Sequence, residues 1–326
     1  MSGKFIVSLD FELFWGMLDV CKLEDYQENV LGGKRAIPQL LELFRKYDIH
    51  ATWATVGFLF AQNKVELKNY FPSWERRPSY TNPELDPYVY LEKIGNNEAE
   101  APCFFAPDLL GLIAETPGQE IGSHTFCHYY CWEEGQTIEQ FAADMKAAKA
   151  IAAEKGYDVT SVVLPRNQCK SEYTQVLREL GYTGFRDLEN DWIHRKVPVR
   201  IVKRACTLLD AYLPLTAGGV KPQWENGIWN LTGSKMYRPI MPKLQALEGL
   251  KIRRIKMQMR HAAKHGLTYH LWWHPHNLGA MTQQHLQQLE EIFRCYRELN
   301  EKYGMQSLNM RETVELLKER PEEGIS

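Results

Sequence analysis

No stretch of this sequence approaches the roughly 20 consecutive apolar residues of a membrane span, and none is a tandem repeat or a low-complexity tract. An excess of one charge is missing too. The formal net charge of −2 leaves no overall electrostatic footprint for nucleic acid or an anionic membrane. A disulfide framework is also absent, because the seven cysteines are odd in number and irregularly spaced. That usage fits a reducing compartment. From Met1 the chain runs directly into a strand-like Phe5-Ile6-Val7-Ser8-Leu9 with no apolar leader and cleavage site, so a cytoplasmic location is expected. What is present is 326 residues, 44% hydrophobic and 25% charged, enough for one large α/β barrel or two ordinary domains.

Short β-branched and aromatic runs alternate with longer stretches of helical period. Strands are expected at Phe5 to Asp10, Ala51 to Val56, Glu120 to Ser123, Ser161 to Leu164, Thr183 to Arg186 and Leu267 to Trp273, with a further one at Ile228 to Leu231. Helices are expected at Lys34 to Tyr47, Thr137 to Lys155, Ser171 to Leu180, Val199 to Leu209, Pro242 to Lys264 and Thr282 to Tyr303, the second and third stopping at Gly156 and Gly181. The basic run Lys251 to Lys256 reads as a solvated helix face. This alternation points to a parallel sheet whose reactive residues sit at the C-terminal ends of its strands. Between Gln62 and Gly118 the period is lost, and seven of the sixteen prolines gather there. The chain therefore reads as a single catalytic domain over 1–326 with an insertion at about 62–118, serving as a substrate lid or an interface.

Two groups of side chains carry the chemistry. In a strand, alternate residues face one side, so Asp10 and Glu12 project together while Phe11 turns away. Two carboxylates in one small volume repel unless a cation sits beside them. His124 and His128, four residues apart just past a strand, can grip one divalent metal. Glu12, His124 and His128 would then form a two-imidazole, one-carboxylate site for a catalytic divalent ion. Zinc comes first, with cobalt, nickel, iron and manganese also able to use it. Taken alone, Asp10 and Glu12 could instead cap a loop or pair with Lys34 or Arg35. Cys127 and Cys131, beside the histidines, read as buried free thiols ahead of a second zinc pair.

Together the motifs resemble the polysaccharide deacetylase family, also called the NodB-homology group or carbohydrate esterase family four. The resemblance rests on Ser8-Leu9-Asp10-Phe11-Glu12, Ser123-His124 through His128, Pro165-Arg166-Asn167-Gln168, Asp191-Trp192 and Leu271-Trp272-Trp273-His274, in that order. Ala51-Thr52-Trp53-Ala54-Thr55-Val56-Gly57 resembles the second-strand signature. The resemblance implies an α/β fold, a distorted and incompletely closed (β/α) barrel. Many members carry adjacent aspartates in the first motif; here Phe11 intervenes and Glu12 stands one step further on.

By this resemblance Asp10 is the general base and Glu12 the metal ligand, the reverse assignment staying open. Arg166 positions Asp10, His274 is the general acid, and Asp191 is a partner to Arg166 or the histidine. Asn167 and Gln168 follow Arg166 where the family has other residues, which makes them substrate contacts. Trp15, Trp192 and Trp273 are expected as walls for a sugar or an acetyl methyl, with Trp272 as another, and His276 as a further substrate contact. The implied activity is metal-dependent removal of an acyl group, foremost N-acetyl, from a carbohydrate. Alternatives on the same site are hydrolysis of a small amide or ureide, O-acyl esterase activity, or a silent glycan-binding member. An acylated carbohydrate is the expected partner, with no nucleic acid and no membrane span; a homo-oligomer stays open.

Overall fold

The computed structural model describes residues 2–188, 193, 199–216 and 218–319. Strand β1 (Lys4–Phe11) is the hub, buried along all but its first residue. Apolar side chains on both of its faces suit a strand covered on each side. It pairs in parallel with β2 (Ala51–Thr55), in register Asp10 to Ala54, and with β9 (Thr268–Trp273), in register Ser8 to Trp272. From β2 the parallel sheet continues through β3 (Gln119–Ser123), β4 (Ser161–Val163) and β5 (Gly184–Arg186) to β7 (Ile228–Asn230). On the other side β8 (Lys235–Met236) pairs with β9. The chain runs from β7 to β8 through Leu231–Ser234, where Leu231 donates to the Phe185 carbonyl and Ser234 to that of His270. A ring is thus bridged by single hydrogen bonds where a ladder would be needed for full closure. This is the distorted, incompletely closed (β/α) barrel expected from the sequence. Short β6 (Gln223–Glu225), antiparallel to β7, and β10 (Gln306–Ser307), beside the start of β1, complete the sheet.

Two cores result. Phe5, Val7, Leu9 and Phe11 face outward and pack under the helices with Phe44, Trp53, Phe293 and Trp273. Ile6, Ala54, Val163 and Leu231 face inward, where Met310, Val314 and Leu317 of the last helix, Met310–Glu319, plug the lower end of the ring. The upper end is left to polar side chains. Among the described residues, no helix is long and apolar enough to cross a membrane.

The first helix, Leu23–Tyr47, starts well before the expected Lys34. Its early part contains Gly32 and Gly33, which mask helical periodicity but allow a close approach. A Cβ on Gly33 would collide with the backbone of Pro275 and His276, and one on Gly32 with that of Gly279. This contact seats the segment carrying His274 against the barrel. Helix Ile138–Glu154 opens on the Thr137/Gln140 capping box and is followed by Gly156 at positive φ. Within 62–118 the structure has short helices Lys64–Lys68, Pro87–Lys93 and Pro107–Ala114. Two start on proline, which suits a first helical position yet reads as a breaker in a pattern search. The expected solvated face at Lys251–Lys256 is corrected: Lys251 and Arg254 are buried, paired with Glu248 and Asp210.

Candidate active site

Ser8 and Asp10 point into the upper end of the ring, and Phe11 points out to meet Trp53 edge-on. Glu12 follows the strand directly and is 4% exposed. Its carboxylate lies where a Cβ on Gly16 would stand, so the turn Trp15–Met17 closes over Glu12 only because residue 16 has no side chain.

The histidine pair sits on an irregular loop after β3, in neither a helix nor a strand. Thr125 and His128 take positive φ, an uncommon conformation for residues with side chains. Specific bonds hold the loop there. Asp144, buried in helix Ile138–Glu154, accepts from the backbone N–H groups of Phe126 and Cys127, and Thr125 Oγ1 accepts from Tyr129 N–H. His124 Nε2 and His128 Nε2 then stand 3.2 and 3.1 Å from the same Glu12 oxygen. Burial alone would raise the Glu12 pKa; the His274 charge and hydrogen bonds from His124 and His128 override it and hold the pKa well below the usual value. Burial dominates at His128 and lowers its pKa.

Asp10 has a partner the sequence reading did not assign. The buried Arg186, last residue of β5, donates from Nη2 to Asp10 Oδ2 at 2.7 Å, from Nη1 to Ser8 Oγ at 2.7 Å and from Nε to Asn167 Oδ1 at 2.8 Å. Behind Ser8 stands His270, its Nε2 2.7 Å from Ser8 Oγ and its Nδ1 2.8 Å from the Leu231 carbonyl. A carbonyl only accepts, so Nδ1 carries the proton and Ser8 donates to Nε2. Burial, reinforced by the Arg186 charge, pushes the His270 pKa down to about 3 and keeps the ring neutral. Burial also works to raise the Asp10 pKa, but Arg186, His274 and His124 outweigh it and leave a net lowering. Asp10 Oδ1 is buried and, among the described residues, has no hydrogen-bond partner.

The expectation that Arg166 touches Asp10 is therefore corrected. Arg166 is exposed, at φ 59°, ion-paired with Asp19 and, at 3.1 Å, with Glu133. Its guanidinium covers the Tyr130 ring, which meets His128 edge-on. Arg186 ends the strand expected at Thr183 to Arg186, the position where reactive residues gather, and that is the available signal for it.

His274 follows β9, with Nε2 3.6 Å from Asp10 and 3.5 Å from Glu12. His276, buried and with its pKa pushed down to about 4 by burial and the His274 charge, stacks on His274 at 5.0 Å. Period two settles the tryptophans. Trp272, on the parity of His270 and His274, lies under Arg186 and edge-on to His274. Trp273 faces outward into the core against Phe44 and Tyr237, and Trp15 is buried against Phe58 and Phe104, so neither lines the site. Asn167 holds Arg186, and Gln168 is half-buried, with a buried Oε1 that has no partner among the described residues. Asp191 and Trp192 lie outside the described residues. Lys34 pairs with Glu98 and Arg35 with Glu28, away from the acidic pair. Cys127 and Cys131 are buried free thiols.

The residues present fit a divalent ion. One atom each from Glu12, His124 and His128 lie within 4.8 Å of one another, all three residues being buried. Among the described residues no lysine or arginine pairs with Glu12, and the Nδ1 atoms of both histidines are buried without partners. Such a set of borderline and hard donors is what catalytic zinc-type ions take.

Residues 25–185 match the family model for polysaccharide deacetylase. The match begins after Asp10 and Glu12 and ends before Arg186 and His274, so those four stand on geometry and motif order. No curated protein matches the sequence. Solved structures align along nearly the whole chain: a candidate polysaccharide deacetylase from Mycobacterium smegmatis at 12% identity and TM-score 0.61, covering 98% of this chain and 92% of that one. A second candidate from Pseudomonas aeruginosa PAO1 aligns at 13% and 0.54, over 98% and 91% of the two chains. The allantoinase PuuE aligns at 12% and 0.54, over 97% and 90%. At these identities the likeness is one of fold. The match over residues 25–185 makes this chain similar in sequence to the polysaccharide deacetylase family, and the solved structures add a likeness of fold.

Proposed function

We propose that this protein is a metal-dependent hydrolase that removes an acyl group, foremost N-acetyl, from a sugar or polysaccharide precursor. The convergence of Glu12, His124 and His128 beside a separately held Asp10 carries the reading. A divalent ion in that triad supplies Lewis acidity toward an acyl carbonyl and eases deprotonation of water. Asp10 is the general base: Arg186 occupies Oδ2 and keeps the carboxylate ionised, which leaves Oδ1 to accept a proton from water. His274, 21% exposed in its side chain, is the candidate acid that hands a proton to the departing amine. Trp272, partly exposed, offers an aromatic wall beside these groups. The described cysteines are all free thiols, which suits a substrate met in a reducing compartment.

Hydrolysis of a small amide or ureide is the second reading, favoured by the fold shared with an allantoinase. Incubation with N-acetylated sugars, O-acetylated sugars and a ureide separates the two. Acetate and free amine from the first group support deacetylation. Product only from the ureide, or from none, removes it.

A further inference from the structure

The helix Leu23–Tyr47 turns one stripe toward the barrel. Val30, Gly33 and Ile37 are buried on it, and Gly33 lies against the backbone of Pro275 and His276. Tyr26 belongs to the same stripe, about two turns nearer the helix start than Gly33. Unlike those three it is only half-buried. Its ring meets His276 edge-on at 5.5 Å, His276 stacks on His274 at 5.0 Å, and His274 meets Trp272 edge-on at 5.8 Å. Four rings therefore form a row beside Asp10 and Glu12. The candidate acid His274 stands within it, and the partly exposed Trp272 and Tyr26 stand at its ends. Among the described residues no group hydrogen-bonds the Tyr26 hydroxyl. Burial, then the neighbouring Cys21 and the Glu12 carboxylate, push its pKa up to about 12, so it keeps its proton and remains a donor.

We propose that Tyr26 is a substrate contact whose hydroxyl donates to a hydroxyl of the sugar that carries the scissile acyl group. The inference rests on the hydrolytic reading and deepens it. His276 and His274 lie between the Tyr26 ring and Glu12, so Tyr26 faces the leaving-amine portion of the substrate, where the sugar is, and not the acyl carbonyl. A pyranose suits a row that ends in two accessible aromatic side chains: it offers C–H faces to the rings and hydroxyls around its edge. A simple amide or ureide has no hydroxyl for Tyr26 to meet.

The test is steady-state kinetics of the metal-loaded full chain on N-acetylglucosamine and its trimer, comparing the wild type with Tyr26→Phe. That variant keeps the ring and its contact with His276 and removes only the hydroxyl. KM is expected to rise about 3–10-fold, the worth of one hydrogen bond, through weaker binding and with little change in kcat. Bound metal and the urea midpoint are expected to hold. An unchanged KM overturns the contact, and so does a rise accompanied by lost metal or a lower urea midpoint, which makes Tyr26 a packing residue. Acetate release at equal KM by both proteins removes the Tyr26 assignment alone. No acetate from either sugar with the metal-loaded wild type removes the hydrolytic reading for such sugars, and this assignment with it.

Discussion

The buried guanidinium of Arg186 donates to Asp10 at 2.7 Å, joining the end of β5 to the end of β1 across the ring. Breaking a buried pair leaves one charge uncompensated, at a cost of about 3–5 kcal/mol. Arg186→Gln is expected to lower stability to urea by that order. It should also cut kcat by about 10²-fold or more while metal content holds. Arg166→Gln, at an exposed pair, should change stability by less than about 1 kcal/mol. Urea midpoints and single-substrate kinetics check both, and equal effects from the two variants would count against Arg186.

Gly16 tests the cradle around Glu12. Gly16→Ala drives a methyl into the Glu12 carboxylate. The expected outcome is loss of metal from purified protein with the circular dichroism spectrum retained. Full metal occupancy in that variant would show that Glu12 is not a ligand in this geometry.

Asp144 should act through the histidine loop without touching the ion. Removing its carboxylate leaves the Phe126 and Cys127 N–H groups unpaired in a buried place, at about 1–3 kcal/mol. Asp144→Ala is expected to weaken metal affinity by about 10–100-fold. A metal titration followed by calorimetry reads this, and unchanged affinity would assign Asp144 to folding alone.

His270 predicts a pH dependence of stability. Its folded pKa, about 3, lies below the ordinary value near 6.5. Between these values the unfolded chain binds a proton that the native ring refuses, so stability falls as pH drops below about 6.5. The slope from this one group is about 1.4 kcal/mol per pH unit. In metal-free protein, His270→Gln should show a correspondingly shallower loss between pH 6 and 4 in urea titrations. Parallel curves for the two proteins would contradict a neutral His270.

The parallel sheet and the Glu12, His124 and His128 group are legible in the sequence because period two and strand-end placement are local signals. Asp10, Glu12, His124, His128 and His274 all sit on or just past runs that read plainly as strands. What was missed depends on contacts between distant segments. Arg186 meets Asp10 across the ring, and nothing near residue 186 names that partner. Arg166 was assigned by motif position, yet its positive φ turns it to Asp19 and Glu133. The parity that places His274 beside Asp10 also places Trp272 inside and Trp273 outside, so that error was avoidable. In the insertion, prolines start short helices at Pro87 and Pro107, and helices this short leave no helical period to find.

Two histidine variants separate binding from chemistry. His124→Ala is expected to lose both metal and turnover, whereas His274→Ala should keep metal and lose turnover. Elemental analysis alongside acetate release distinguishes them, and undiminished turnover in His274→Ala would refute its role as acid.

The most direct measurement is calorimetric titration of zinc into chelator-stripped protein and its Glu12→Ala variant. One site per chain is expected in the wild type, with that site abolished or severely weakened in the variant. Absence of binding to the wild type, or identical isotherms for the two proteins, would contradict a metal centre built from Glu12, His124 and His128.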